Sequence, residues 1–310
     1  MMSPRVGVIG SINADLSVGV DRHPGPGETV LGTGGRLSPG GKGGNQALAA
    51  ARQGAETIMI GAVGTDAHAE IATRLLRQAG VDLSHVTTLP GQTGLAVVAV
   101  DASGENNIIV IPGANAGITP DQIGAARDTL AACAVAVIQG EIPAETITFA
   151  SETLDELGVR QILNLAPVLD LPPAILHRSD PLVVNEHEAA QILTAAHTGV
   201  LPFPRSEALD GLKLAGDLVK TGIRSVVVTL GSAGAAMATA QEAIHIEAPI
   251  VEAVDTTGAG DAFVGALAAA LAQGTDLPEA CRRAVRVAAF SVRGHGAQDS
   301  YPTTNEVFPV

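Results

Sequence analysis

A mainly parallel β-sheet covered by helices on both faces, an α/β fold, is what this sequence predicts, on three observations. Short β-branched apolar runs alternate along the chain with longer runs of helix formers, the trace left by successive βα units. The 310 residues, 46% of them hydrophobic, accommodate one large α/β domain with material for a small insertion. Aromatics are scarce, with no Trp, one Tyr and five Phe, so the core falls to Val, Ile, Leu and Ala.

In order, Val6 to Gly10 reads as a strand, Gly43 to Gln53 as a helix, Ile58 to Val63 as a strand and Ala67 to Gln78 as a helix. Ala134 to Ile138, Gln161 to Leu165, Leu182 to Val184 and Ser225 to Leu230 are short apolar strands. Helical runs between them cover Pro120 to Ala132, Pro143 to Leu157, Glu186 to Leu193 and Glu207 to Lys220, with a surface loop from Thr194 to Pro204. Ala262 to Ala272 is an alanine-rich helix, and Leu277 to Arg293 another. Two insertions break the alternation, one between Ala14 and Pro39 and one between Thr93 and Pro112. The second reads as a hairpin, Leu95 to Asp101 and Asn107 to Ile111, turning at Ser103-Gly104. Paired together, the insertions would form a small sheet placed as a lid.

Composition excludes several classes. A formal net charge of −14 argues against nucleic-acid binding, which needs basic surface. The apolar runs are too short to span a membrane, and the N-terminus lacks a signal-peptide pattern. Cys133 and Cys281 stand alone in helical-looking apolar contexts, which suits buried thiols in a cytoplasmic protein.

The chemistry concentrates in Asp255-Thr-Thr-Gly-Ala-Gly-Asp261. A turn of small residues feeds the alanine-rich helix, so free N–H groups of a first helical turn face whatever lies ahead. An acid beside such an anion hole is what phosphoryl transfer to an alcohol requires. Plain capping of a helix start gives the same letters. Asn13 and Asp15, two apart in an extended segment, point the same way and suit adjacent hydroxyls. Gly40-Gly-Lys-Gly-Gly-Asn45 precedes a helix but fails as a Walker A loop, since Arg36 stands at its first glycine and Gly43 follows Lys42. Gly258-x-Gly260 fails as a dinucleotide fingerprint, because its third small residue would fall at Phe263. Asn185 with Glu188 reads as a capping box, or as a site near phosphates and a hydrated magnesium ion. Thr229-Leu-Gly-Ser-Ala-Gly234 ends a strand with glycines that turn the chain or pass beneath a nucleotide.

The order of these motifs, together with Gly61-Ala-Val-Gly-Thr-Asp66, resembles the ribokinase-like (PfkB) carbohydrate kinase family over nearly the whole chain. The resemblance implies a three-layer α/β/α fold with a small β-sheet lid that carries a homodimer contact, and a reaction in which ATP phosphorylates D-ribose to D-ribose 5-phosphate. It implies Asp261 as catalytic base and the backbone of Gly258, Ala259 and Gly260 as anion hole. Asn13, Asp15, Gly41, Lys42, Asn45 and Glu141 would line the sugar site, Lys42 mainly through its backbone. Asn185, Thr229, Gly231, Gly234 and Gly260 would belong to the nucleotide side, and Glu188 to a magnesium network through water. Activation by potassium would involve Asp255, Thr257, Ser291, Gly294, Gly296 and Ser300, mostly through carbonyl oxygens. Ala233 and the apolar pair Ala284-Val285 depart from the family pattern around the adenine.

Within the family, a nucleoside acceptor is disfavoured because neither insertion carries an aromatic residue to stack a base. Asn13 beside Asp15 favours ribose over deoxyribose; fructose and other ketoses stay open. A non-catalytic sugar-binding protein on the same scaffold would have lost the acid or the glycine turn, and both are present. An NAD-dependent dehydrogenase lacks its fingerprint.

Overall fold

The computed structural model describes residues 5–102, 106–201 and 210–309. The chain opens with β1 (Arg5–Ile9), β2 (Asn13–Val20), β3 (Gly32–Gly40), α1 (Lys42–Arg52), β4 (Glu56–Val63), α2 (His68–Gln78), β5 (Asp82–Thr88), β6 (Gly94–Val100) and β7 (Asn106–Ile111). It continues through α3 (Pro120–Ala125), α4 (Arg127–Ala131), β8 (Val135–Gln139), α5 (Ala144–Leu157), β9 (Arg160–Asn164), α6 (Pro173–His177), β10 (Leu182–Asn185), α7 (Glu186–Thr198) and α8 (Gly211–Lys220). It closes with β11 (Ser225–Thr229), β12 (Ala235–Thr239), β13 (Ala243–Ile246), α9 (Ala259–Ala272), α10 (Leu277–Ser291) and α11 (Ala297–Ser300).

Nine strands form the main sheet in the order β13-β12-β11-β10-β9-β8-β1-β4-β5. From β11 to β5 every pairing is parallel; β12 and β13 add an antiparallel edge. The side-chain period of two divides the core between the two faces. On β1, Val6 and Val8 join the layer of α1, α2, α9 and α10, while Ile9 joins the layer of α3 to α8. Each fully buried Ile or Leu contributes roughly 1.5–3 kcal/mol before chain entropy is counted. This is the three-layer α/β/α ribokinase-like architecture expected. Cys133 and Cys281 are buried free thiols, pushed by burial up to about 11 and about 12, and therefore inert.

The two insertions pair into a separate four-stranded sheet in the order β3-β2-β6-β7. β2 runs parallel to β6 and antiparallel to β3, and β6 runs antiparallel to β7. The edge strand β7 exposes Ile108, Ile109 and Val110, consecutive residues that point to both faces.

Several expected boundaries shift. The segment expected as a loop from Thr194 instead continues α7 to Thr198, and Gly199 ends it at φ 71° in the left-handed region. Residues 202–204 of that loop, the Ser103-Gly104 turn and the first residues of the helix expected from Glu207 lie outside the described residues. The helix expected from Pro120 to Ala132 is two short helices meeting at Ala126. β5, β12 and β13 were not anticipated: Asp82–Thr88 has no clean apolar alternation, and β12 is mostly alanine.

One packing detail sets the site. A Cβ on Gly265 of α9 would meet Ala49 Cβ and the Gln46 carbonyl of α1 at 2.5 Å. Small residues thus let α1 and α9 cross in close contact, with their N-terminal turns side by side.

Candidate active site

In a parallel sheet, ligands bind beyond the carboxyl ends of the strands. The residues after those ends here are Asn13 beyond β1, Glu141 beyond β8, Ala166 beyond β9 and Glu188 beyond β10. Ala166 and Glu188 line one cavity with the first turn of α9.

That turn leaves backbone donors free. Gly258 caps α9 at φ 74°, a backbone conformation that favours glycine, and no side chain caps the helix. Its carbonyl accepts from Ala262 N–H at 2.9 Å and from the Tyr301 hydroxyl at 2.8 Å. Burial holds the Tyr301 hydroxyl well above its ordinary range, so it stays a donor. Ala259 N–H is engaged by the Thr256 carbonyl at 3.2 Å. Among the described residues, the N–H groups of Gly258, Gly260 and Asp261 reach no protein acceptor. A Cβ at Gly260 would meet nothing within 4 Å, so open space lies beside it.

Asp261, only 7% exposed, lines the adjoining cavity of about 160 Å³. Its Oδ2 accepts from Asn45 Nδ2 at 2.9 Å and its Oδ1 from Gln46 Nε2 at 2.8 Å. Lys42, Asn164, Asn185, Glu188, Thr229 and Thr256 line the same cavity. A second, mostly apolar pocket of about 400 Å³ shares Thr229, Thr256, Ala259 and Gly260 with it. Gly231, Gly234 and Val285 line that pocket with the segment Ala248 to Val251, which sequence reasoning missed. Ala284 is buried in the core and lines neither pocket. The two spaces form one cleft, polar at Asp261 and apolar at Val285.

On the other side of Lys42 lies a second polar group. Lys42 N–H donates to Glu141 Oε2 at 3.1 Å, as does the Ser11 hydroxyl at 2.6 Å. Asn13 Oδ1 accepts from Asn115 Nδ2 at 2.7 Å, leaving the Asn13 amide as a donor. Asp15 Oδ1 is buried without a partner among the described residues. Burial, helped by the charges of Glu141 and Asp261 and opposed by Lys42, pushes the Asp15 carboxyl up to about 7. Burial pulls the Lys42 ammonium down, but Asp261, Glu141, Glu188 and Asp15 more than offset it and hold it above its ordinary value. A Cβ at Gly41 would strike Asn13 N at 2.7 Å, which is why the loop beside these groups is glycine.

Asn185 and Glu188 make both bonds of a capping box, Glu188 N–H to Asn185 Oδ1 at 2.9 Å and Asn185 N–H to Glu188 Oε2 at 2.8 Å. The capping box is formed, and both residues also line the cavity. Burial raises the Glu188 carboxyl, while the Asn185 N–H and Lys42 counter it. Among the described residues no cluster of three or more His, Cys, Asp or Glu side chains suits a tightly chelated metal. One half-buried carboxylate does suit a cation that keeps most of its water.

Asp255, Thr257, Ser291, Gly294, Gly296 and Ser300 converge on the loop ahead of α9. Asp255 Oδ1 accepts from Thr257 N–H at 2.9 Å and its Oδ2 from Gly296 N–H at 2.8 Å. Burial pushes the Asp255 carboxyl up, but these donors prevail and it sits below its ordinary range. Ser300 Oγ donates to the Ala297 carbonyl at 2.9 Å, and Ser291 Oγ to the Ala288 carbonyl at 2.9 Å. With both carboxylate oxygens engaged, a cation here would rely on carbonyl oxygens, a hard donor set that fits an alkali ion.

Sequence reasoning did not single out Gln46, Asn115, Asn164, Gln298 or Tyr301. Gln46 stood next to the noted Asn45; the others lie far away in sequence, and only the fold brings them in.

A polar-to-apolar cleft crossing a helix start, with a second group of polar side chains at the neighbouring strand ends, is the arrangement of an α/β sugar kinase. The comparisons agree. The pfkB family of carbohydrate kinases matches residues 3–304. A ribokinase of Bacillus subtilis (strain 168) is 37% identical over 300 residues, 97% of each chain. A deoxyribokinase of Salmonella typhi is 36% identical over 303 residues, 97% of this chain and 96% of its own. The solved Arabidopsis thaliana ribokinase, complexed with ribose and ATP, superposes with a TM-score of 0.83 at 32% identity, over 97% of this chain and 96% of that one. The chain belongs to the pfkB family of carbohydrate kinases, and it is a kinase of the ribokinase type.

Proposed function

We propose that this protein transfers the γ-phosphoryl group of ATP to the 5-hydroxyl of D-ribose, giving ADP and D-ribose 5-phosphate. The observation that carries this is Asp261: a buried carboxylate beneath free helix N–H groups, in the cleft and close to the polar group of Asp15 and Glu141. The purine of ATP lies against Val285 and the Ala248 to Val251 segment, with Thr229, Gly231 and Gly234 along its path and Asn185 beside the phosphates. Apolar Ala284 and Val285 imply contact by packing, not by amide recognition.

Ribose lies between Asp15, Asn13, Glu141 and the loop Gly41-Lys42, with Asn45 closing the side toward Asp261. The Asn13 amide donates and the unpartnered Asp15 Oδ1 accepts, a pairing suited to adjacent hydroxyls. Asp261 takes the proton of the 5-hydroxyl as its oxygen bonds to the γ-phosphorus, and the bond from that phosphorus to the β–γ bridging oxygen breaks. The N–H groups of Gly258 and Gly260 meet the charge on the moving group. Ala259, whose N–H is taken, contributes shape instead of a hydrogen bond. Magnesium, held through water near Glu188, would neutralise phosphate charge, and potassium at the Asp255 loop would reinforce the helix start electrostatically. The small sheet acts as the lid, and its exposed β7 edge is the surface through which two copies pair. Cytoplasmic ATP and free sugar supply the substrates.

The test is ADP release from purified protein with D-ribose, 2-deoxy-D-ribose, fructose and nucleosides, each in potassium and in tetramethylammonium chloride. D-Ribose in potassium is expected to give the highest kcat/KM, and Asp261→Asn to lower kcat by about 10²- to 10⁴-fold with sugar binding retained. A preference for 2-deoxy-D-ribose, as named for the Salmonella relative, would overturn the acceptor; an active Asp261→Asn would overturn the base.

A further inference from the structure

Two chains of side-chain amides converge on Asp261, and each has one polarity. On one side, Asn164 Nδ2 donates to the Val183 carbonyl at 3.0 Å, which turns Asn164 Oδ1 toward Gln46. Gln46 Nε2 then donates to Asn164 Oδ1 at 2.9 Å and to Asp261 Oδ1 at 2.8 Å. On the other side, Gln298 Nε2 donates to Asn45 Oδ1 at 3.0 Å, and Asn45 Nδ2 donates to Asp261 Oδ2 at 2.9 Å. The backbone carbonyl at the start of the first chain has no hydrogen to give, so the direction is fixed from there to the carboxylate.

The orientation comes with a visible cost. Gln46 is fully buried, and its Oε1 has no partner among the described residues. Turning the amide over would set Oε1 against two acceptors, the Asp261 carboxylate and Asn164 Oδ1. The stranded oxygen is therefore what remains when both N–H groups are committed. Each oxygen of Asp261 meets one donor, which fixes the plane of the carboxylate and leaves its other lone pairs free.

We propose that Gln46, oriented by Asn164, is a positioning residue: its hydrogen bond aims the Asp261 carboxylate, so that the remaining lone pairs face the acceptor hydroxyl. This rests on Asp261 being the base. The charged groups facing Asp261 from the surrounding elements are Lys42 on α1, Asp15 on β2 and Glu188 on α7, with Tyr301 beyond α11. None replaces the two amide donors, since both short contacts to the carboxylate come from Asn45 and Gln46.

The experiment is the pH profile of kcat for Gln46→Met, Gln46→Glu and Asn164→Leu, with KM for ATP and sugar, and a thermal melt to establish folding. Gln46→Met removes one donor; kcat should fall about 10- to 100-fold, and its acid limb should move to higher pH, with KM for ATP unchanged. Gln46→Glu keeps the shape but sets a like charge beside Asp261, so its limb should move further. Asn164→Leu frees the Gln46 amide without touching Asp261 and should shift the limb in the same direction by less. Folded variants that lose rate with an unmoved acid limb would show a merely structural amide and overturn the proposal. Asp261→Asn in the same series separates the two readings: if it stays active, the base assignment fails; if it is inactive while the Gln46 limbs stay put, only the positioning role fails.

Discussion

At the scale of single residues, Asp15 is the side chain whose state depends most on conditions. Burial first, then Glu141 and Asp261, lift its carboxyl from 3.8 to about 7. A raised acid favours the folded state fully only below its unfolded value, and that contribution fades as pH rises through the folded value. Without sugar, Asp15→Asn should therefore melt higher than the wild type, by a margin that opens between about pH 4 and pH 7 and holds above it. Scanning fluorimetry from pH 4 to 8 reads this; equal melting temperatures throughout would contradict it. The same variant should raise KM for sugar if the proposed site is right, because Asp15 Oδ1, unpartnered among the described residues, is the proposed acceptor of a sugar hydroxyl. Asp15, Asp261 and Asn13 could be read from sequence because each sits in a short run of small residues at a strand end or helix start. Asn164, Asn115 and Gln298 could not, because a lone amide at a strand end, in a turn or in a short helix shows nothing of the partner that a distant segment brings to it.

At the scale of elements, the start of α9 carries both the geometry and the strain. Gly258 holds φ at 74°, and a Cβ there would strike Ala297 Cβ and the Tyr301 hydroxyl at 2.5 Å. Gly258→Ala is expected to cost on the order of 1–3 kcal/mol in backbone strain alone. It should also lower kcat more than KM, since the cap sets where the free N–H groups point. Steady-state kinetics beside a thermal melt would check this, and an alanine variant with wild-type kcat would separate the cap from the chemistry. The alternation of strands and helices was legible because fully buried parallel strands are unbroken apolar runs, as in Val135–Gln139. Asp82–Thr88 escaped notice because it lies at an edge of the sheet and mixes polar with apolar residues on both sides. The 120–132 segment kept helical composition across Ala126, and nothing in those residues marks the break.

At the scale of the whole molecule, the small sheet presents Ile108, Ile109 and Val110 to solvent, at 54%, 65% and 45% exposure. An open apolar edge strand invites pairing with another chain. Ile109→Arg is expected to convert a dimer of the wild type into a monomer, read by sedimentation velocity; a wild-type protein that sediments as a monomer would exclude the edge as a contact. The layered plan was readable from periodicity. Which insertion strands pair, and in what order, is decided by contacts that no local pattern encodes. β2 lies beside β6 through the register Asn13 to Gly94, although β3, α1, β4, α2 and β5 all intervene along the chain. The two acids of the centre ride on different bodies, Asp15 on the small sheet and Asp261 on α9 over the large one, and each raises the electrostatic cost of the other. If the proposed function holds, a polyol seated between them would offer each acid a hydroxyl to hold, so the sugar would ease the mutual repulsion that the empty centre carries.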